Sequence, residues 1–180
     1  MLSGETAVGR FPAGAVRVMA DIADKADLAI AAAPPPHEPA VEACRGPWEG
    51  SHSDAIGEAV WRITHDLAVK RIVCFTMSGY TARAISRYRP RNPITAITLS
   101  ESTLRRCALV WGVDALLAVE AETLDEMVRT VDALMIEHHL ASNGDTIIIV
   151  AGTPLAVGGR TNLLKLHTVG QETITDKDAR

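Results

Sequence analysis

Between residues 71 and 170 the chain alternates short β-rich runs with amphipathic stretches, and this alternation restricts its possible folds more than any other feature. Arg71-Ile72-Val73-Cys74-Phe75 reads as a strand, followed by a loop and a helix ending near Pro90. Residues 94–98 form a second expected strand; Ser100 is placed to cap a helix carrying Leu104 and Ala108, and Gly112 to stop it. Residues 115–119 read as a third strand. Thr123-Leu124-Asp125-Glu126 has the form of a capping box, and Leu124, Met127, Val131, Leu134 and Met135 follow at helical spacing. Asn143-Gly144-Asp145 turns the chain into Thr146-Ile147-Ile148-Ile149-Val150, a run apolar enough for burial on both faces. In the last strand, residues 163–169, Leu164-Lys165-Leu166-His167 alternates as a half-exposed antiparallel edge does. The expected fold is therefore α/β: an open, mostly parallel sheet of four parallel strands plus one antiparallel edge strand, with helices on both faces.

Upstream the pattern changes. Pro12 suits a first helical turn, and Val16, Met19, Ala23 and Ala26 recur at helical spacing, so residues 12–30 read as a helical arm. Ala33-Pro34-Pro35-Pro36-His37-Glu38-Pro39 can neither continue a helix nor enter a sheet interior. Residues 31–52 are expected to be a linker, with Ser53 capping a helix whose apolar face is Ile56, Val60, Ile63 and Leu67. The α/β domain then spans 53–170, and the polar residues 171–180 are expected to be a flexible tail.

Composition narrows the function classes. A net charge of -4 and few aromatic residues argue against nucleic acid and anionic membranes as partners. No apolar run approaches the roughly 20 residues of a membrane span, and the amino terminus has no basic region leading into an apolar stretch. Cys44, Cys74 and Cys107 are odd in number and lack CxxC spacing, which points to free thiols and a reducing compartment. A cytoplasmic location is expected.

Ligands of such sheets bind at the carboxyl ends of the strands. Two loops there carry suitable chemistry. Thr76-Met77-Ser78-Gly79-Tyr80-Thr81 follows the first strand and opens a helix, where unpaired amides favour an anion. Gly79 admits a close approach, and Thr76, Ser78 and Thr81 offer hydroxyls to a phosphate. Spacing alone serves equally well for a Ser78 that merely caps the helix. The second loop, between the last two strands, contains Gly158 and Gly159, which permit unusual backbone angles, and Arg160, which can contact phosphate bidentately or lie solvated on a hairpin. His138-His139 has no further ligand at metal spacing, so no metal site is expected. Arg87-Tyr88-Arg89-Pro90-Arg91 places positive charge where a helix carboxyl terminus favours it. No Ser-His-Asp order, Walker loop or zinc motif is present.

Phe75-Thr76-Met77-Ser78-Gly79-Tyr80-Thr81-Ala82-Arg83, Tyr88-Arg89-Pro90, Pro93-Ile94, Ala108-Leu109-Val110-Trp111-Gly112-Val113, Gly144-Asp145, Thr161-Asn162-Leu163 and His167-Thr168-Val169-Gly170 resemble, in register, the carboxy-terminal domain of pyruvate kinase. Residues 1–12 resemble the end of that enzyme's catalytic barrel, leading into its last helix, so residues 1–30 are expected to be a barrel remnant. The resemblance implies a glycolytic transferase that passes phosphate from phosphoenolpyruvate to ADP, with magnesium and potassium in the full-length enzyme and no cofactor in this chain. Ser3 and Glu5 correspond to a barrel strand end near the active site and count as remnants, not as a catalytic set. The chain is accordingly expected to be a fragment, inactive on its own.

The family's carboxy-terminal domain binds sugar phosphates or nucleotides as allosteric effectors and contributes to a tetramer. The resemblance places an effector phosphate on Thr76, Ser78, Gly79 and Thr81, with the loop of Gly158, Gly159 and Arg160 folding over it. Met77 stands where several relatives that bind fructose 1,6-bisphosphate carry lysine, which favours a monophosphorylated sugar or a nucleotide. The alternatives are a stand-alone phosphometabolite sensor and a purely structural oligomerisation domain.

Overall fold

The computed structural model describes residues 2–32, 51–118, 121, 123–153 and 161–171, and the chain divides into two units, Met1–His37 and Glu38–Arg180. The linker residues 33–50 and the tail residues 172–180 lie outside the described residues.

The first unit is helical. A single turn, α1 (Gly4–Ala7), stands where the family resemblance implies a strand end. The Ser3 amide donates to Glu5 Oε2 at 3.1 Å. With the backbone amide of Glu5 as the larger cause and that of Ser3 as the smaller, the Glu5 carboxyl is held below the usual carboxylate range. The long helix α2 (Pro12–Ala32) opens on its proline, as expected, and runs two residues past the expected end. Val18, Met19, Ile22 and Leu28 on it are exposed.

The second unit opens with α3 (His52–Asp66). Ser51, not Ser53, is its cap and accepts a hydrogen bond from the Asp54 amide at 3.2 Å. Ser53 lies inside the first turn and is buried. Then follow β1 (Arg71–Phe75), α4 (Tyr80–Ser86), β2 (Ile94–Thr98), α5 (Glu101–Cys107), β3 (Val113–Leu117), α6 (Leu124–Glu137), β4 (Thr146–Ala151) and β5 (Leu163–Thr168). The sheet order is β3-β2-β1-β4-β5. β1 pairs in parallel with β2 and β4, β2 in parallel with β3, and β4 antiparallel with β5. Four parallel strands and one antiparallel edge strand are thus present, as the alternation of elements predicts.

Because strand side chains alternate between faces, the sheet divides its apolar residues between two cores. Ile72, Cys74, Ile94, Ala96, Ile148 and Val150 pack on one face with Val60, Ala82, Ile85 and Cys107 from α3, α4 and α5. Val73, Ile97, Ile147 and Ile149 pack on the other with Met127, Val128, Val131 and Met135 of α6. The unbroken Ile147-Ile148-Ile149-Val150 run has this origin. On β5, His167 Nε2 and Asp132 Oδ1 of α6 are 2.8 Å apart, and the Gly170 amide donates to Asp132 Oδ2, tying the edge strand to the helix.

Local signals account for most element ends. Thr123 and Glu126 form the expected reciprocal capping box on α6, and the Ser100 hydroxyl accepts from the Thr103 amide at the start of α5. α4 ends at Ser86, short of the expected Pro90; Arg89 has φ of 50°. A residue before proline is disfavoured in the helical region, so the chain leaves the helix before Pro90. β3 begins two residues earlier than expected, directly after Gly112, whose φ of 65° makes the turn. Within that strand, exposed Asp114 receives Arg71 Nη1 on its Oδ2 at 2.8 Å, and the same Nη1 lies 2.8 Å from the Thr95 hydroxyl, a polar row across three strands.

Helices α3 and α4 meet at Gly57, where an added Cβ would lie 2.4 Å from the Tyr88 ring. The Tyr88 hydroxyl donates to the Asp54 carbonyl at 3.0 Å and to the Asp54 carboxylate, which also pairs with Arg87.

Candidate functional site

After β1 the chain adds β2 and β3 on one side of it and returns to place β4 on the other. The carboxyl ends of β1 and β4 therefore flank the switch point where ligands of open α/β sheets bind. The loop of residues 76–79 leaves β1 at that point. The Thr76 amide donates to the Ile97 carbonyl at 3.0 Å, and its hydroxyl accepts from the Gly79 amide at 2.9 Å. Gly79, with φ of 79°, is the residue preceding α4 and provides no side-chain cap. A left-handed backbone there suits glycine.

Ser78 consequently does not cap the helix. It is exposed, and its hydroxyl has no hydrogen-bond partner among the described residues. The other two hydroxyls are placed differently. Thr76 and Thr81 are buried, and Thr81 Oγ1 lies 3.0 Å from Oγ1 of Thr161, also buried. They hold the loop in shape, while the Ser78 hydroxyl and the first-turn amides of Thr81 and Ala82 have no acceptor or donor partner among the described residues. Thr103 of α5 braces the loop from its far side, donating its hydroxyl to the Met77 carbonyl at 2.8 Å.

The ends of the second loop converge on the first. Asn162 Oδ1 accepts from the Thr153 amide at 2.7 Å and from its hydroxyl at 3.0 Å, and Asn162 Nδ2 donates to the Thr153 carbonyl at 2.8 Å. This clamp closes the neck of the loop, and Thr161 beside it joins the neck to Thr81. Residues 154–160 lie outside the described residues, and with them Gly158, Gly159 and Arg160. Sequence reading did not single out Asn162, Thr103 or the Thr81–Thr161 pair as parts of the site; only the fold brings together positions such as Thr81 and Thr161, 80 residues apart.

Two thiols lie beneath the loop. Burial pushes the Cys74 thiol far above its ordinary range, and Cys107 adds to the shift. Burial also raises Cys107, against the opposing pull of Arg83 and Arg106. Both thiols are neutral in the folded chain at ordinary pH. A folded pKa above the unfolded one favours folding up to the unfolded thiol's value of about 8.5, beyond which stability falls. In denaturant titrations between pH 7 and 10, Cys74→Ala is expected to lose less stability on the alkaline side than the unaltered chain. Among the described residues, no group of three or more His, Cys, Asp or Glu is placed to hold a metal ion.

The family model described as pyruvate kinase, alpha/beta domain, matches residues 54–167. Pyruvate kinase of Staphylococcus epidermidis is 42% identical over 172 residues, which cover 96% of this chain and 28% of that protein. Pyruvate kinase of Staphylococcus saprophyticus is 41% identical over the same shares. Among solved structures, a pyruvate kinase from Cryptosporidium parvum superposes with a TM-score of 0.70 at 29% identity, over 94% of this chain and 32% of that one. The chain thus spans 28% of the length of the curated relatives it matches. A match over most of the folded unit, with 42% identity across nearly the whole sequence, establishes that this chain belongs to the pyruvate kinase α/β-domain family.

Proposed function

We propose that the chain is the effector-binding and assembly portion of a pyruvate kinase, the whole of which transfers phosphate from phosphoenolpyruvate to ADP in cytoplasmic glycolysis with magnesium and potassium. The 180 residues themselves bind a phosphorylated effector, a sugar phosphate or a nucleotide, at residues 76–81. One observation carries this reading: a glycine-shaped turn at the β1/β4 switch point leaves Ser78 exposed and, among the described residues, without a partner, while buried hydroxyls hold the turn in place. Free, buried Cys74 and Cys107 fit a reducing compartment. Assembly into homo-oligomers, tetrameric in the family, would use surfaces such as the open side of edge strand β5, where Leu166 is exposed.

Thermal stability tests the binding reading. Fructose 1,6-bisphosphate, glucose 6-phosphate, ribose 5-phosphate and AMP are titrated into the chain; a ligand at about 100 times its dissociation constant adds about 2.7 kcal/mol. At least one is expected to stabilise the chain, and Ser78→Ala to diminish the shift. No shift with any of them, or an undiminished shift in the variant, contradicts the reading.

A further inference from the structure

The chain has three asparagines, and their surroundings differ in what they allow the carboxamide to do. Asn92 precedes Pro93, which has no backbone N–H, and its Nδ2 donates to the Val69 carbonyl. The Asn162 carboxamide is held by three hydrogen bonds to Thr153. Asn143 is exposed, and its carboxamide has no hydrogen-bond partner among the described residues. It lies against Gly170, where an added Cβ would collide with Asn143 Oδ1. The next residue, Gly144, is exposed with φ of 91°, and a Cβ built there would meet no atom within 4 Å. The Gly144 nitrogen thus follows a carboxamide that no hydrogen bond restrains, with open space on its own side. One contact holds that nitrogen: its N–H donates to the Val169 carbonyl at 2.9 Å. This bond, with that from the Val169 amide to the Asp145 carbonyl at 3.0 Å, extends the β4–β5 pairing past its last pair, Thr146 with Thr168. The end of β5 is itself fixed to α6 through Asp132, which accepts from the Gly170 amide and contacts His167.

We propose that Asn143 is a site of spontaneous deamidation and that the Gly144–Val169 hydrogen bond sets its rate. When the end of β5 opens locally, the Gly144 nitrogen is released and, on losing its proton, attacks Asn143 Cγ. A new N–Cγ bond closes a succinimide ring; the Cγ–Nδ2 bond breaks, and the proton lost by Gly144 leaves with the ammonia. Water then opens the ring at either carbonyl, giving aspartate or isoaspartate. The net change is amide plus water to acid plus ammonia, and no other reactant is consumed. Either product adds a carboxylate beside Gly170, whose amide Asp132 already holds. Isoaspartate also lengthens the main chain ahead of Gly144, which displaces its N–H from Val169 and unpins the end of the edge strand.

Peptide mass spectrometry of the full chain, sampled during incubation at mildly alkaline pH, reads the exchange of NH2 for OH at each asparagine. The exchange is expected at Asn143, as a mixture of aspartate and isoaspartate, and not at Asn92 or Asn162 over the same time. The folded chain is expected to react several-fold more slowly than the chain unfolded in urea, where the Val169 bond is absent. Asp132→Ala frees the end of β5 and is expected to raise the folded-state rate several-fold. His167→Gln, which keeps the Gly170 contact, takes its place if circular dichroism shows the first variant unfolded. No exchange at Asn143 in the folded chain by the time the unfolded chain has reacted fully, or equal exchange at another asparagine, overturns the site. Equal rates in the folded and unfolded chains, or no acceleration in the folded variant, overturn the control by Val169.

Discussion

Ile148→Ala is expected to destabilise the chain by about 2–5 kcal/mol, and Ile149→Ala by a similar amount, the usual cost of removing a large side chain from a packed core. Both residues are fully buried, but on opposite faces of β4. Ile148 belongs to the apolar cluster that α3, α4 and α5 cover, and Ile149 to the one that α6 covers. A sheet covered on one face only would show one large loss and one small. Leu109→Ala, at an exposed position after α5, serves as the control and should cost less than about 1 kcal/mol. Denaturant unfolding of the three variants measures all of these values.

The second large effect is expected at the Thr81–Thr161 pair. Replacing either threonine with valine keeps the shape but strands the other hydroxyl in a buried site, at a cost of about 1–3 kcal/mol. Replacing both removes donor and acceptor together, so the double variant should lose clearly less than the two single losses combined. The pair also ties the neck of the β4–β5 loop to the start of α4. Either single variant is therefore expected to weaken effector binding as well, even though neither hydroxyl faces solvent. Additive losses in the double variant, measured by unfolding, would show that the two hydroxyls do not act as a pair.

The fold was legible wherever local chemistry is decisive. The capping box at Thr123 and Glu126, the apolar run of β4 and the polar alternation in β5 each announce their element, and strand–helix alternation announces the parallel sheet. Legibility failed where a distant partner overrides the local pattern. The start of β3 is obscured by Asp114, an exposed charge on an edge strand that Arg71 reaches across β2. Ser51 and Ser53 are equivalent as local caps, and the choice between them follows from Ser53 being buried.

The site shows the same division. The Ser/Thr/Gly cluster after β1 marks the loop, but not the separate work of its hydroxyls. Gly79 takes the left-handed position before α4, Thr76 and Thr81 turn inward, and Ser78 alone of the three hydroxyls is left outside. Thr103 belongs to another helix, and nothing in its spacing links it to Met77. Strand order, which puts the loop at the switch point, is a property of the whole sheet.

Amide chemical shifts recorded by NMR during titration with fructose 1,6-bisphosphate, and separately with AMP, locate the ligand on the chain directly. The largest shifts are expected at residues 77–82, with smaller ones at Thr103, saturating with a single dissociation constant. Largest shifts at the opposite end of the sheet, around Arg89 and Trp111, or none with either ligand at millimolar concentration, would contradict an effector site at the head of α4.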